Sequence, residues 1–104
     1  MANAHRGEIE AELSGRRYVL CLTLGALAEL EHAYGGEDLV AIAQRFEAGR
    51  IGASDALRVI AAGLRGGGTA ITDDEVAAMT AEGGAQGFLS IVVRLLRATF
   101  AGEP

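Results

Sequence analysis

Apolar positions recur at two different spacings along this chain, and the change from one to the other divides it. From Glu8 to Leu13 charged and apolar residues alternate, the period-two signature of a half-buried strand. Ser14-Gly15 is a tight-turn pair, and Arg16 to Leu22 reads as the returning strand. A two-residue loop sets Leu13 opposite Arg16, Glu12 opposite Arg17, Ala11 opposite Tyr18 and Ile9 opposite Leu20. That register gathers Ile9, Ala11, Leu13, Tyr18 and Leu20 on one side and leaves Glu8, Glu10 and Glu12 on the other, with Arg17 across from Glu12. Ser-Gly is a weaker turn signal than Asn-Gly, which leaves a one-residue slip open. A lone hairpin is marginal in water and has to lean on a helix or on another chain.

From Thr23 onward the spacing is helical. Thr23 is placed to cap a first helix that stops at Gly35, with Leu24, Leu27, Ala28, Glu31 and Tyr34 as its stripe and Leu30 at the edge. Gly25 inside it suggests a close backbone contact. Glu37 and Asp38 put negative charge at the start of a second helix, whose stripe is Leu39, Ile42, Ala43 and Phe46 and which ends at Gly49. Ile51 sits in the short link that follows. Ser54 reads as the cap of a third helix with the stripe Leu57, Ile60, Ala61 and Leu64. Gly66-Gly67-Gly68 reads as its stop and a flexible connector. Thr72-Asp73-Asp74-Glu75, between Ile71 and Val76, is a capping box, and predicts a helix from Asp73 to about Glu82 closed by Gly83-Gly84. The last helix, Ala85 to Phe100, is apolar nearly all round, so it is either central in the core or half offered to a partner. The expected architecture is an α+β fold, mainly α: an N-terminal β-hairpin followed by about five short helices in an irregular bundle. The 104 residues are expected to form one domain: residues 1–7 a loose arm, 8–22 the hairpin, 23–100 the helical part and 101–104 a frayed tail.

Composition narrows the function. The formal charge is −5, and all nine basic residues are arginine. Phosphate contacts need clustered cations, so neither a nucleic acid nor an anionic membrane is an expected partner. The residues before Glu8 lack the apolar run of a signal peptide. The longest apolar stretch, Gly87 to Phe100, is interrupted by Arg94 and Arg97 and falls short of the ~20 residues of a membrane span. A cytoplasmic protein is therefore expected. Cys21 is the single cysteine, so no intrachain disulfide forms, and with strand neighbours and no base nearby it reads as a packed small hydrophobe. His5, His32 and Cys21 are scattered over an arm, a helix end and a strand, which gives no metal-ligand spacing. Glu8/Glu10/Glu12 read as a solvated strand face and Asp73/Asp74/Glu75 as helix-start charge, where acid–base catalysis needs desolvated carboxylates. Leu64-Arg65-Gly66-Gly67-Gly68-Thr69 lacks the phosphate-loop pattern and follows a helix rather than a strand. No catalytic, cofactor or metal residue is expected, and the protein reads as non-enzymatic.

Nearly the whole chain resembles the small tail assembly chaperone family of gene transfer agents and related long-tailed phages, in its alphaproteobacterial members. The resemblance lies in Leu22 to Glu31 (LTLGALAELE) with the stop at Gly35, then Leu57 to Gly67 (LRVIAAGLRGG), Ile71 to Val76 (ITDDEV), and a final apolar helix ending Ala98-Thr99-Phe100. It implies a non-enzymatic helper that binds the tape measure protein, with the tail tube protein as a second candidate partner, while tails are built in the host cytoplasm. An exposed apolar helix is an aggregation hazard until covered, and a small acidic helical protein could cover it. Phe88, Leu89, Val92, Leu96 and Phe100 on the last helix are the expected contact residues; the alternative is that they close the protein's own core. An uncovered apolar strip also predicts a homo-oligomer. The rival readings are a minor or tube-associated tail protein retained in the particle, and a host interaction adaptor.

Overall fold

The computed structural model describes residues 2, 3 and 6–100. His5 and the expected tail at 101–104 lie outside the described residues. In order, the chain forms β1 (Glu8–Leu13), β2 (Arg16–Cys21), α1 (Leu24–Ala33), α2 (Leu39–Glu47), α3 (Ala53–Gly66), α4 (Asp73–Ala77) and α5 (Gly84–Phe100). An N-terminal antiparallel hairpin followed by five helices is the α+β class that the two spacings predict.

The hairpin keeps the expected register, from Leu13 opposite Arg16 to Glu8 opposite Cys21, with no slip. Ser14 and Gly15 both have positive φ, 52° and 77°, the turn that matches strand twist. Serine is strained there, and a tertiary contact holds it. Ser14 N–H donates to the Thr80 carbonyl at 2.8 Å, and Ser14 Oγ accepts from Thr80 N–H at 3.1 Å. Leu13 and Leu20 are fully buried, with Ala11 beside them. Each buried leucine contributes about 1.5–3 kcal/mol by leaving water. Arg17 stands opposite Glu12 but pairs instead with Glu10, at 3.1 Å along the diagonal. Ahead of β1, the Ala2 amide donates to Glu10 and the Asn3 amide to Glu8, at 3.2 and 2.8 Å.

Local signals place most helix ends. Thr23 Oγ1 accepts from Ala26 N–H at 3.1 Å. Gly35 takes φ +72°, letting Gly36 N–H reach the Glu31 carbonyl at 2.8 Å and Gly35 N–H the His32 carbonyl at 3.1 Å, a Schellman stop. Asp38 caps α2 through Ala41 N–H at 2.8 Å, and Ile42 and Phe46 on the predicted stripe are buried. The Thr72–Glu75 capping box is reciprocal, with both amide bonds made at 2.9 and 3.1 Å.

Five expectations need correction. The α1 stripe is rotated: Ala26 and Leu30 are buried, while Leu24 is 83% exposed and Ala28 also faces outward. Leu and Ala lie on every side of α1, so packing on α3, not the pattern, chooses its face. Gly25 makes no close contact; the nearest atom to a Cβ there would be Thr23 Oγ1 at 3.9 Å. Ser54 is not the cap of α3, since the helix begins at Ala53 after Gly52, whose amide is taken by the Asp55 carboxylate at 2.8 Å. The helix after the capping box ends at Ala77, because the backbone at Thr80 is recruited by the hairpin turn. The glycine tract, finally, is a packing surface as well as a stop. A Cβ on Gly66 would collide with the Cys21 carbonyl, and one on Gly67 with that of Val19; one on Gly63 would lie 2.6 Å from Leu95 Cδ2.

Those glycines seat β2 directly on α3, and α3 is the central helix. Ala56, Val59, Ile60, Ala61, Ala62, Gly63 and Leu64 are all buried on it. Around it lie α1, α4, α5 and the hairpin. Arg65 fastens this arrangement at the surface. Its guanidinium pairs with Glu29 of α1, with Asp73 of α4 at 3.1 Å, and with the Ile71 carbonyl at 2.9 Å. On the other side Arg94 Nη2 of α5 donates to the Glu10 carbonyl of β1 at 2.6 Å.

Candidate functional site

The last helix divides its apolar residues between two duties. Ile91, Val92 and Leu95 are buried in the core against α3 and the hairpin. Val92 is fully buried, so of the expected contact residues it presents no surface. Phe88 is half-buried against the same core. Leu89, Leu96 and Phe100, with Val93, form one wall of a groove of about 830 Å³. The facing wall is α2, through Leu39, Val40, Ala43 and Phe46, and Ile51 of the following link also lines the groove. The groove thus combines three of the five residues expected on α5 with a second element that the sequence reading did not assign to it. Val40 carried the missed signal. It is an apolar residue off the α2 stripe, and it is 66% exposed.

A cluster of aromatic and charged side chains links α2 to the end of α1 and to α3. The Tyr34 ring, at the end of α1, meets Phe46 edge-on with centroids 6.3 Å apart. The guanidiniums of Arg45 and Arg58 stand 4.9 and 5.2 Å from its centroid, a cation–π arrangement from two helices. The Tyr34 hydroxyl donates to the Asp55 carboxylate, and Arg45 also pairs with Glu37 at 3.5 Å. Burial, with the neighbouring Asp55 charge, pushes the Tyr34 hydroxyl pKa up to about 12. The groove itself is nearly uncharged. Glu47 on the α2 wall and Arg97 on the α5 wall are its charged lining residues.

The groups that could do covalent chemistry are arranged against it. Cys21 is buried with its Sγ 3.5 Å from the Arg6 carbonyl, and burial together with Glu8 pushes its thiol pKa up, away from the reactive thiolate. The Ala2 amide and Arg17 hold the Glu10 carboxyl below the usual range, whereas a general acid requires the opposite shift. Asp73 and Glu75 are engaged with Arg65 and the Thr72 cap. Among the described residues no group of three or more His, Cys, Asp or Glu could hold a metal ion. None of the described helices is long and apolar enough to cross a membrane. What the arrangement offers is an apolar groove suited to protein contact.

A family model described as "Phage tail tube protein, GTA-gp10" matches residues 6–102. No curated protein and no solved structure matches the chain. The match corrects the assignment drawn from resemblance: the gene transfer agent and phage tail setting stands, but the family is described by the tail tube and not as an assembly chaperone for the tape measure protein. The motifs behind that resemblance are caps, stops and core stripes, which record a fold and carry no information about which tail protein the fold serves.

Proposed function

The chain belongs to the phage tail tube protein family of gene transfer agents, and from that premise we propose that it is a structural, tube-associated tail protein retained in the finished particle. The observation that carries this is the family match across residues 6–102. The proposed action is non-enzymatic and proceeds by contact with other tail proteins, including further copies of itself, after synthesis in the host cytoplasm. The groove between α2 and α5 is the proposed contact surface, because an apolar channel with few charges gains most when covered by another protein. Leu89, Leu96 and Phe100 remain the contact residues on α5; Val40 and Val93 join them.

Quantitative mass spectrometry of purified particles tests the reading. The chain is expected at a copy number that stays in fixed ratio to the principal tube subunit across preparations. Tailed particles that lack it would refute a retained structural role.

A further inference from the structure

Residues 69–82 cross the surface as a strap clamped at two points. Glycines with positive φ bound it: Gly68 at 104° on one side, Gly83 at 86° and Gly84 at 60° on the other. Near its start the Arg65 guanidinium holds the Ile71 carbonyl at 2.9 Å and Asp73 at 3.1 Å. Near its end Thr80 exchanges two hydrogen bonds with Ser14 of the hairpin turn, at 2.8 and 3.1 Å. Between the clamps Val76 is its buried side chain, and α4 packs chiefly on α3. Toward β2 the strap stands off, leaving a hollow of about 610 Å³ lined from β2 by Tyr18 and Val19 and from the strap by Ile71, Glu75 and Met79. Two features make such a segment open as a unit. A five-residue helix does not hold its own hydrogen bonds in water, so α4 persists only while Val76 is seated. Ser14, at φ 52°, keeps a left-handed backbone that serine otherwise avoids, and Thr80 is what holds it there. Loss of one clamp therefore weakens the other, although the Arg65 side chain has no tie to the hairpin among the described residues.

We propose that residues 69–82 form a latch that opens cooperatively while the rest of the fold stays intact, releasing the Arg65 and Ser14 ties together. Opening lifts Val76 from the core, uncovers the side of α3 beneath α4 and frees the hairpin turn. The chain thereby holds a second apolar surface, separate from the α2–α5 groove, that is hidden while the latch is shut.

Hydrogen exchange in the native full chain, read amide by amide by NMR at several urea concentrations below the unfolding transition, tests it. The Val76 and Met79 amides, bonded to the Thr72 and Val76 carbonyls, are expected to share one opening constant, larger than that of the Ile60 amide in α3. The Ser14 amide, whose acceptor is the Thr80 carbonyl, should exchange with them and not with its own hairpin. Ser14→Ala removes the Oγ acceptor and should speed exchange at Val76 and Met79 about fivefold. Arg65→Met should speed exchange at Ser14 by about the same factor. Val92→Ala, in the core of α5, destabilises the shut and open forms alike, so it should speed exchange at Ile60 and leave the strap amides unchanged. Circular dichroism should show an unchanged fold for all three variants. Strap amides that exchange only by global unfolding, a Ser14 amide that follows the hairpin ladder, or an Arg65→Met protein in which Val76 speeds up and Ser14 does not would each overturn the proposal.

Discussion

Replacing Gly66 by alanine sets helix propensity against a backbone collision. Gly66 is the last residue of α3, and in a free helix the added methyl would favour folding by up to about 1 kcal/mol. In the folded chain that methyl points at the Cys21 carbonyl of β2, well inside contact distance. The closest C–H···O contacts keep carbon about 3.3 Å from oxygen, so strand and helix must part by roughly 1 Å. A flexible side chain could swing aside, but a strand backbone cannot. Leu20, fully buried on the same strand, loses packing as the gap opens. Overpacking costs about 1–3 kcal/mol, and a collision with strand backbone lies in the upper part of that range, about 2–3 kcal/mol, which leaves a net loss of about 1–2 kcal/mol after the propensity gain. For a chain of this size that lowers the midpoint of thermal unfolding by roughly 5–15 °C. Gly25→Ala is the matched control. Its methyl meets nothing nearer than Thr23 Oγ1 at 3.9 Å, so the substitution should stabilise by about 0.5 kcal/mol. Urea unfolding followed by helical circular dichroism measures both. A Gly66→Ala protein as stable as the wild type would refute the close seating of β2 on α3, and a destabilised Gly25→Ala would refute the open surroundings assigned to α1.

Further substitutions separate the remaining contacts. Leu24→Ala should change stability by less than about 0.5 kcal/mol while Leu30→Ala costs about 2–4 kcal/mol, in the same urea assay; comparable losses would contradict the rotated face of α1. Arg65→Met removes the ties to Glu29, Asp73 and the Ile71 carbonyl and should cost about 1 kcal/mol after solvent screening, with the difference from wild type shrinking in high salt. Tyr34 has a folded pKa of about 12 against an ordinary value of 10.0, so the unfolded chain loses its proton first as pH rises. Its stabilisation is complete below pH 10 and disappears between pH 10 and 12; phenolate absorbance should show a late tyrosine transition that Tyr34→Phe removes, and its persistence in that variant would show that another tyrosine is responsible.

The function was only partly legible in the chain. Residue types offered no familiar catalytic pattern, and a family resemblance pointed to gene transfer agent and phage tails. The step from there to a chaperone failed, since Thr72–Glu75 or Gly35 serve any protein with this fold equally well. Leu89, Leu96 and Phe100 reached the groove because α5 has more apolar residues than one core face can use. Val92 did not, although its position in the pattern looks the same as theirs. The side of α5 turned toward α3 and the hairpin decides between them, and neither neighbour is close in sequence.

What the sequence determined by itself was whatever is settled within a few residues. The hairpin register, the caps at Thr23, Asp38 and Thr72 and the stop at Gly35 all follow from interactions that span five residues or fewer, or from strict alternation. The tertiary structure decided the rest. It chose which side of α1 faces inward, made α3 and not α5 the central helix, and ended α4 early by engaging Thr80 at the hairpin turn. It also turned Gly66 and Gly67 from a stop into a seat for β2. A glycine has no side chain to announce whether it marks an end or a contact, and a helix apolar on several sides has no preferred face until a partner covers one. Burial is a property of the neighbours a residue acquires, and those neighbours exist only once the chain has folded.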